Sequence, residues 1–459
     1  MPNLAIVVEG PIIAGSKGHP FGSAAADLER FGYIEAEYFL SGEALTYEGE
    51  GTCGADGRWG IREADRVPFR TRILVRRPED PGRFNGVVNL AWSNVSGGFE
   101  VISNPDDGFY EAGGVFIAVS AQAVGVHGYR VDPNGLQAWD PDRYASLSIP
   151  TDDASYDILT KVARLARRTI DVQGPDPFEG LDVRWVRAEG ASQSAARLQT
   201  YINAVQPVER VIDGFLLAVH GGQVCPLASD RTVGRPRDVT DQSANVDQSG
   251  LPSIAGLREG ADARVFVVNS ESETLSFLPV RRPDDAHYHY WEIAGRAHTG
   301  DIFANLGSNG SSDVQFQISL EGSPNFLPWQ PVAAAAAVHL ERWIVDGTTP
   351  PSVTPISVAG DPPTIERDEH GNALGGVRLP DVEVPTATVT GFGDGGGLME
   401  LLGSRLPFSS VKLHALYETH DRYVAQVKRA ATEAVDAGVI LQGHAQGMIA
   451  LAEQAAVPE

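Results

Sequence analysis

Two short runs constrain this chain most: GVVNLAW, from Gly86 to Trp92, and GVFIAVSA, from Gly114 to Ala121. Both are nearly continuous in apolar residues, without the alternation of a strand that has one wet face. Such runs read as strands covered on both faces, as in a parallel sheet layered with helices. Further on, SYDILTKVARLARRTID carries Ile158, Val162, Leu165 and Ile170 near one helical face, with Asp152 or Asp153 placed to cap its start. The strand-like LDVRWVRA, the helix-like SAARLQTYINAV and the strand-like VIDGFLLAV, ARVFVVN and HYHYWEIA follow. Strands alternating with helices predict an α/β fold: a mostly parallel central sheet, helices on both faces, right-handed connections.

Composition narrows the class. Hydrophobic residues make up 42% and charged residues 21% of the 459, so the chain is globular rather than disordered or fibrous. Sixty acidic against 36 basic residues give a formal charge of -24, which repels a phosphate backbone and excludes nucleic acid as a partner. The sequence has no run of about 18 apolar residues and no basic, apolar secretory start, so no membrane association and a cytoplasmic location are expected. Cys53 and Cys225 are too few for a disulfide framework and lack metal-ligand spacing, so both read as buried thiols.

EGASQSAARL, from Glu189 to Leu198, puts a serine among small residues between a strand-like and a helix-like run. A nucleophile elbow has this form: a strained turn lifts the serine hydroxyl above the sheet, and small neighbours let strand and helix pass closely. Gly190, Ser192 and Ser194 give G-x-S-x-S, which departs from G-x-S-x-G at its last position, where a Cβ tolerates less strain. A serine hydroxyl needs a base held by an acid, and enzymes built on a nucleophile elbow carry them in the chain order serine, acid, histidine. ARVFVVNSESE leaves Glu271 and Glu273 just past a buried strand, and HYHYWEIAGRAH leaves His298 after the next one. All three elements then arrive at the carboxyl edge of the sheet. Oxyanion donors are expected at the backbone N–H of Gln193 and in the loop AWSNVSGG, at Asn94 or Val95.

With these residues in view, the chain resembles the α/β-hydrolase superfamily, and more narrowly a bacterial group known as alpha/beta hydrolase domain proteins. The resemblance covers nearly the whole chain, through FGYIEAEYFLSGEA, WSNVSGG, DPDRYASLSIPTDDASYDI, GASQSA, NSESE, WEIAGRAH and RDEHGNALGGVRLPDVEVPTA, the last being long enough to be specific. It implies a serine hydrolase with Ser192 as nucleophile, His298 as base and a glutamate as third member, acting like an esterase without metal or organic cofactor. It favours Glu273, because many related enzymes carry the acid three positions beyond the residue ending this strand, here Ser270; Glu271 is the competitor. Where esterases carry an H-G-G-G type loop this chain has SNVSGG, which leaves the second oxyanion donor open.

The reading is one unit over residues 1–459. Within it, residues 1–80 form an amino-terminal β extension, 81–347 a catalytic core with a lid or surface excursion at 221–260, and 348–459 a carboxyl-terminal region packed on the core. In that last region SSVKLHALYETHDRYVAQVKRAATEAVDAG has the period of a helix stopped by Gly438. The expected substrate is a small or medium neutral ester or lactone. An amidase or acyltransferase with the same triad, or a non-catalytic binding protein on this fold, are the alternatives. GFGDGG (Gly391 to Gly396) matches G-x-G-x-x-G but has no βαβ unit around it and reads as a turn. His287 and His289 lack a third metal ligand and read as strand residues, and Asp368, Glu369 and His370 read as a charged turn. Trp92, Trp139 and Trp291 read as core packing before pocket lining. Oligomeric state and the role of the Arg367 to Ala387 segment are not legible in the sequence.

Overall fold

In the computed structural model, residues 5–24, 26–129, 133–228, 254–300, 323–393 and 398–458 are described. They divide into two compact units. The first comprises the described residues of Met1–Leu217 and Gly222–Val265, and the second those of Ala218–Gly221, Phe266–Ile302 and Gln317–Glu459.

The first unit is built on strands β1 (Ile6–Glu9), β2 (Tyr33–Glu50), β3 (Gly60–Pro78), β4 (Val87–Trp92), β5 (Val115–Val119), β6 (Val172–Gln173), β7 (Trp185–Ala191) and β8 (Gly214–Ala218). Their spatial order is β8-β7-β4-β5-β3-β2-β1-β6. The two apolar runs are central: β4 pairs in parallel with β5 on one side and β7 on the other, with Leu90 opposite Ile117 and Ala188. Every residue of β4 and β5 is buried, which is why neither sequence alternates. The fold is α/β, as the strand and helix alternation predicts.

The amino-terminal strands prolong this sheet beyond β5. β2 and β3 form a long antiparallel hairpin, and β3 pairs antiparallel with β5 from Ile73 to Arg76. A difference from expectation lies before the helix Ser155–Ala166. Neither Asp152 nor Asp153 caps it; Thr151 accepts from the Asp153 N–H, and Asp152 turns its carboxylate to the Ala123 N–H instead. In T-D-D all three residues are good caps, and the tertiary contact decides among them.

A buried ion cluster ties the hairpin to the loop after β4. Glu37 on β2 accepts from Arg72 at 2.8 Å, from the Tyr144 hydroxyl at 2.8 Å and from Arg143 at 2.6 Å, and Arg72 also donates to Glu100 at 2.6 Å. All four charged side chains are at most 3% exposed, so two guanidiniums and two carboxylates neutralise one another out of water.

In the second unit β9 (Arg264–Ser270), from Phe266 on, neighbours β10 (Tyr288–Ile293). Val377 prolongs β10's neighbourhood: its N–H donates to Glu292 O and its carbonyl accepts from Ala294 N–H. The helix Gln330–Val345 also belongs to this unit. The long carboxyl-terminal helix read from its period is two helices, Ser410–Tyr417 and His420–Asp436, broken where Glu418 takes φ 59° and Thr419 caps the second by accepting from Arg422 N–H. No helix among the described residues is long and apolar enough to cross a membrane. Residues 229–253 of the expected lid and 394–396 of GFGDGG lie outside the described residues.

Truncating the shared carboxylate of the ion cluster leaves two buried guanidiniums short of an acceptor. Glu37→Ala is expected to cost about 3–5 kcal/mol, read from the midpoint of urea unfolding.

Candidate active site

The elbow lies in the first unit, where β7 ends at Ala191 and the helix Gln193–Thr200 begins. Between them Ser192 adopts φ 57° and ψ −119°, a conformation that L-residues with a Cβ rarely hold and that a surrounding structure must impose. The neighbours impose it. A Cβ on Gly190 would lie 2.9 Å from the Ser194 carbonyl carbon, so only glycine lets strand and helix pass this closely. Ser194 takes no strained conformation. It is buried, and its hydroxyl accepts from the Ala191 N–H and donates to the Ala191 carbonyl, both at 2.9 Å. The residue that departs from the commoner pattern thus closes the turn by a hydrogen-bond pair that glycine lacks.

The loop after β4 meets the elbow through Asn94, whose Nδ2 donates to the Ala191 carbonyl at 2.9 Å. The Asn94 backbone N–H is engaged, donating to Val101 O at 3.0 Å, and its Oδ1 accepts from Ser96 N–H. Val95 follows with its side chain buried and its carbonyl accepting from Tyr129, while its own N–H enters no hydrogen bond among the described residues. Gln193 opens its helix, where the first N–H groups have no intrahelical acceptor. Its side-chain Nε2 donates to Gln122 Oε1 at 3.0 Å; that oxygen also accepts from Trp92 Nε1 at 2.9 Å, and Gln122 Nε2 donates to Asp152. Trp92 is therefore core packing with its one donor satisfied. Gln122 was not singled out in the sequence, because a lone glutamine after a strand carries no pattern.

The acid and the histidine lie in the second unit. β9 ends at Ser270, and the turn Glu271–Glu273 follows and runs on into the helix Thr274–Phe277. Ser270 and Glu273 form a capping box: Glu273 Oε2 accepts from the Ser270 N–H at 2.9 Å and from its hydroxyl at 2.7 Å. That leaves Oε1 directed at His298, whose Nδ1 lies 2.6 Å away. His298 is held from two more sides, its N–H donating to Ser272 Oγ at 2.9 Å and its carbonyl accepting from Trp329 Nε1 at 3.1 Å. Glu271 is fully buried and committed elsewhere, accepting from Gly295 N–H at 2.8 Å and from Arg367 at 2.7 Å. Of the two acids, Glu273 alone contacts the imidazole. The S-x-x-E spacing was the local signal for this, readable in SESE without any relative.

His220, also in this unit, is fully buried, and burial pushes its pKa down to about 3, which keeps it neutral. His289 is buried with its ring edge-on to Trp343, while His287 precedes β10 in an exposed position. Among the described residues no three His, Cys, Asp or Glu side chains are grouped to hold a metal. Asp368 folds its own turn, accepting from the N–H groups of His370 and Asn372 at 2.9 Å each.

A family model described as an alpha/beta hydrolase domain matches residues 8–450. The chain belongs to the alpha/beta hydrolase family. No curated protein matches it. Solved structures similar to this alpha/beta hydrolase include a lipase/esterase from Lactobacillus plantarum, at 12% identity over 54% of this chain and 90% of that chain with a TM-score of 0.28. An alpha-beta serine hydrolase homologue from Coxiella burnetii shares 10% identity over 50% and 84% of the two chains, TM-score 0.25. Brefeldin A esterase, a bacterial homologue of human hormone sensitive lipase, shares 12% over 55% and 64%, TM-score 0.25. Likenesses this loose assign no residue of this alpha/beta hydrolase a role.

Replacing Ser194 by the glycine of the commoner elbow removes both bonds to Ala191. Ser194→Gly is expected to lower stability by about 1–3 kcal/mol in chemical unfolding rather than relieve strain.

Proposed function

We propose that the protein is a serine hydrolase that cleaves a neutral carboxylic ester or lactone through an acyl-enzyme on Ser192, with His298 as general base and Glu273 as its orienting acid. The observation that carries this reading is the backbone of Ser192, held at positive φ between a strand and a helix start whose N–H groups are unsatisfied within the helix. Strain of this kind has to be maintained by the fold, and it clusters at active sites. The 2.6 Å contact of Glu273 with His298 Nδ1 supports the second half, since it fixes the tautomer that leaves Nε2 to take a proton. The chain order, serine before acid before histidine, fits the family.

In this mechanism the Ser192 oxygen bonds to the ester carbonyl carbon while its proton passes to His298 Nε2. The carbonyl oxygen takes up the negative charge and accepts from the N–H of Gln193 and of Val95. Val95 is preferred to Asn94 because the Asn94 N–H already donates to Val101. The tetrahedral species expels the alcohol, which leaves with the proton held by His298. Water, deprotonated by the same imidazole, then attacks the acyl carbon, and the acid departs as the serine recovers its proton. The net charge of -24 disfavours strongly anionic substrates.

A series of p-nitrophenyl esters of increasing acyl length tests this. Ser192→Ala is expected to lower kcat by roughly 10⁴–10⁶-fold and to abolish labelling by a fluorophosphonate; retained turnover would remove the nucleophile from the account. Glu273→Gln is expected to lower kcat by about 10²–10⁴-fold, and Glu271→Gln by less than about tenfold. Equal, full activity in both glutamine variants would sink the acid assignment.

A further inference from the structure

The segment from Arg367 to Asp381 reaches the elements that carry Glu273 and His298 through two ion pairs, and its own sequence is spent on shaping that reach. Asp368 folds the turn, and its carboxylate also pairs with Arg378 at 2.9 Å. The same carboxylate is held below the usual aspartate range by the backbone N–H of Asn372 and by Arg378, against the opposing effect of burial. Asn372, fully buried, accepts from Val389 N–H at 2.8 Å. Gly376, at φ 68°, brings its backbone against Glu292, where a Cβ would lie 2.8 Å from the carbonyl oxygen. Asp381 then receives both its oxygens' bonds from Nη2 of the buried Arg296, at 2.9 and 2.8 Å, two residues before His298.

The second point of reach is Arg367, whose Nη2 lies 2.7 Å from Glu271 Oε1. Glu271 is fully buried and also fastens the histidine turn to the acid turn, accepting from Gly295 N–H at 2.8 Å while its own N–H donates to Arg296 O at 3.1 Å. Two carboxylates, Glu271 and Glu273, therefore stand two residues apart on one buried turn. Only one of them faces His298. Without a cation, the other is left as an uncompensated buried charge that is driven from its place, which breaks its bond to Gly295.

On the reading that His298 and Glu273 are catalytic, we propose that Arg367 is a positioning residue: by neutralising Glu271 it holds the turn 294–298 in register with the turn 271–273 and so fixes the His298 imidazole on Glu273. The carboxyl-terminal segment then contributes to the chemistry from outside the reacting atoms, through one ion pair.

Arg367→Met, Arg367→Met/Glu271→Gln and wild type are compared by steady-state kinetics on a p-nitrophenyl ester, with the low-field proton NMR signal of His298 Nδ1–H identified by its loss in Glu273→Gln. The single variant strands a buried charge and is expected to lower kcat about tenfold or more, with KM within about twofold and the low-field signal broadened. The double variant removes that charge but keeps an acceptor for Gly295, and kcat is expected to return to within about threefold of wild type with the signal restored. Full kcat in Arg367→Met, or a double variant no better than the single one, overturns the proposal. Should the single variant not fold, the double variant decides alone: kcat within about threefold of wild type supports the proposal, and a tenfold lower value overturns it. Loss of activity in Ser192→Ala and Glu273→Gln together with full activity in Arg367→Met would reject this role and leave the hydrolase reading standing.

Discussion

A carboxylate beside an imidazole is useful only if it cannot rotate away, and the second unit solves this with the two oxygens of Glu273. One is occupied by the N–H and hydroxyl of Ser270, three residues back. The other is thereby aimed at His298 Nδ1. A capping box stabilises the start of a helix by satisfying loose donors; here it opens the run that continues through Thr274–Phe277, and in doing so it also fixes the Glu273 side chain. Everything around His298 builds on that orientation. The Ser272 hydroxyl accepts from the histidine's backbone N–H, and Glu271 accepts from Gly295, so the acid turn holds the histidine turn from three consecutive residues.

The first unit reaches a similar end by different means. Ser192 is kept at positive φ by crowding on one side and hydrogen bonds on the other. Gly190 permits the close pass, Ser194 closes the loop on Ala191, and Asn94 adds a third bond to the same carbonyl region. Asn94 was considered for its N–H, yet its role in the fold is to spend that N–H on Val101 and its side chain on the elbow. A residue so thoroughly bound fixes the path of its own loop. The loop is anchored in turn by Glu100, which carries one end of the ion cluster centred on Arg72.

Features whose cause is local composition were legible in the sequence. Strands β4 and β5 declare themselves because burial on both faces forbids polar alternation, and Gly190 with Ser192 declares the elbow because few other arrangements need small residues there. What depended on distant partners was not. That Glu271 is paired with Arg367, nearly a hundred residues away, is one such feature, whereas the S-x-x-E spacing marks Glu273 locally. The engagement of the Asn94 N–H follows from Val101 folding back across it. The break at Glu418 and Thr419 was masked for a different reason: the apolar period runs through it, and only the capping threonine marks the stop.

The chain's excess of acid has a structural counterpart in its arginines. Arg72, Arg76 and Arg296 are among the largest fully buried side chains among the described residues, and each donates to a carboxylate. Burying a guanidinium is costly unless its donors are met, but its several N–H groups on one rigid plane let it bind separate segments at once. Arg296 shows why this matters near the histidine: Nε donates to Pro328 O while Nη2 spans both oxygens of Asp381, so one side chain fixes two approaches to the turn before His298. A lysine would keep the charge and lose the directions. The placement of the imidazole is thus held by planar cations and committed carboxylates, in a chain acidic enough that each of these cations finds a partner within reach.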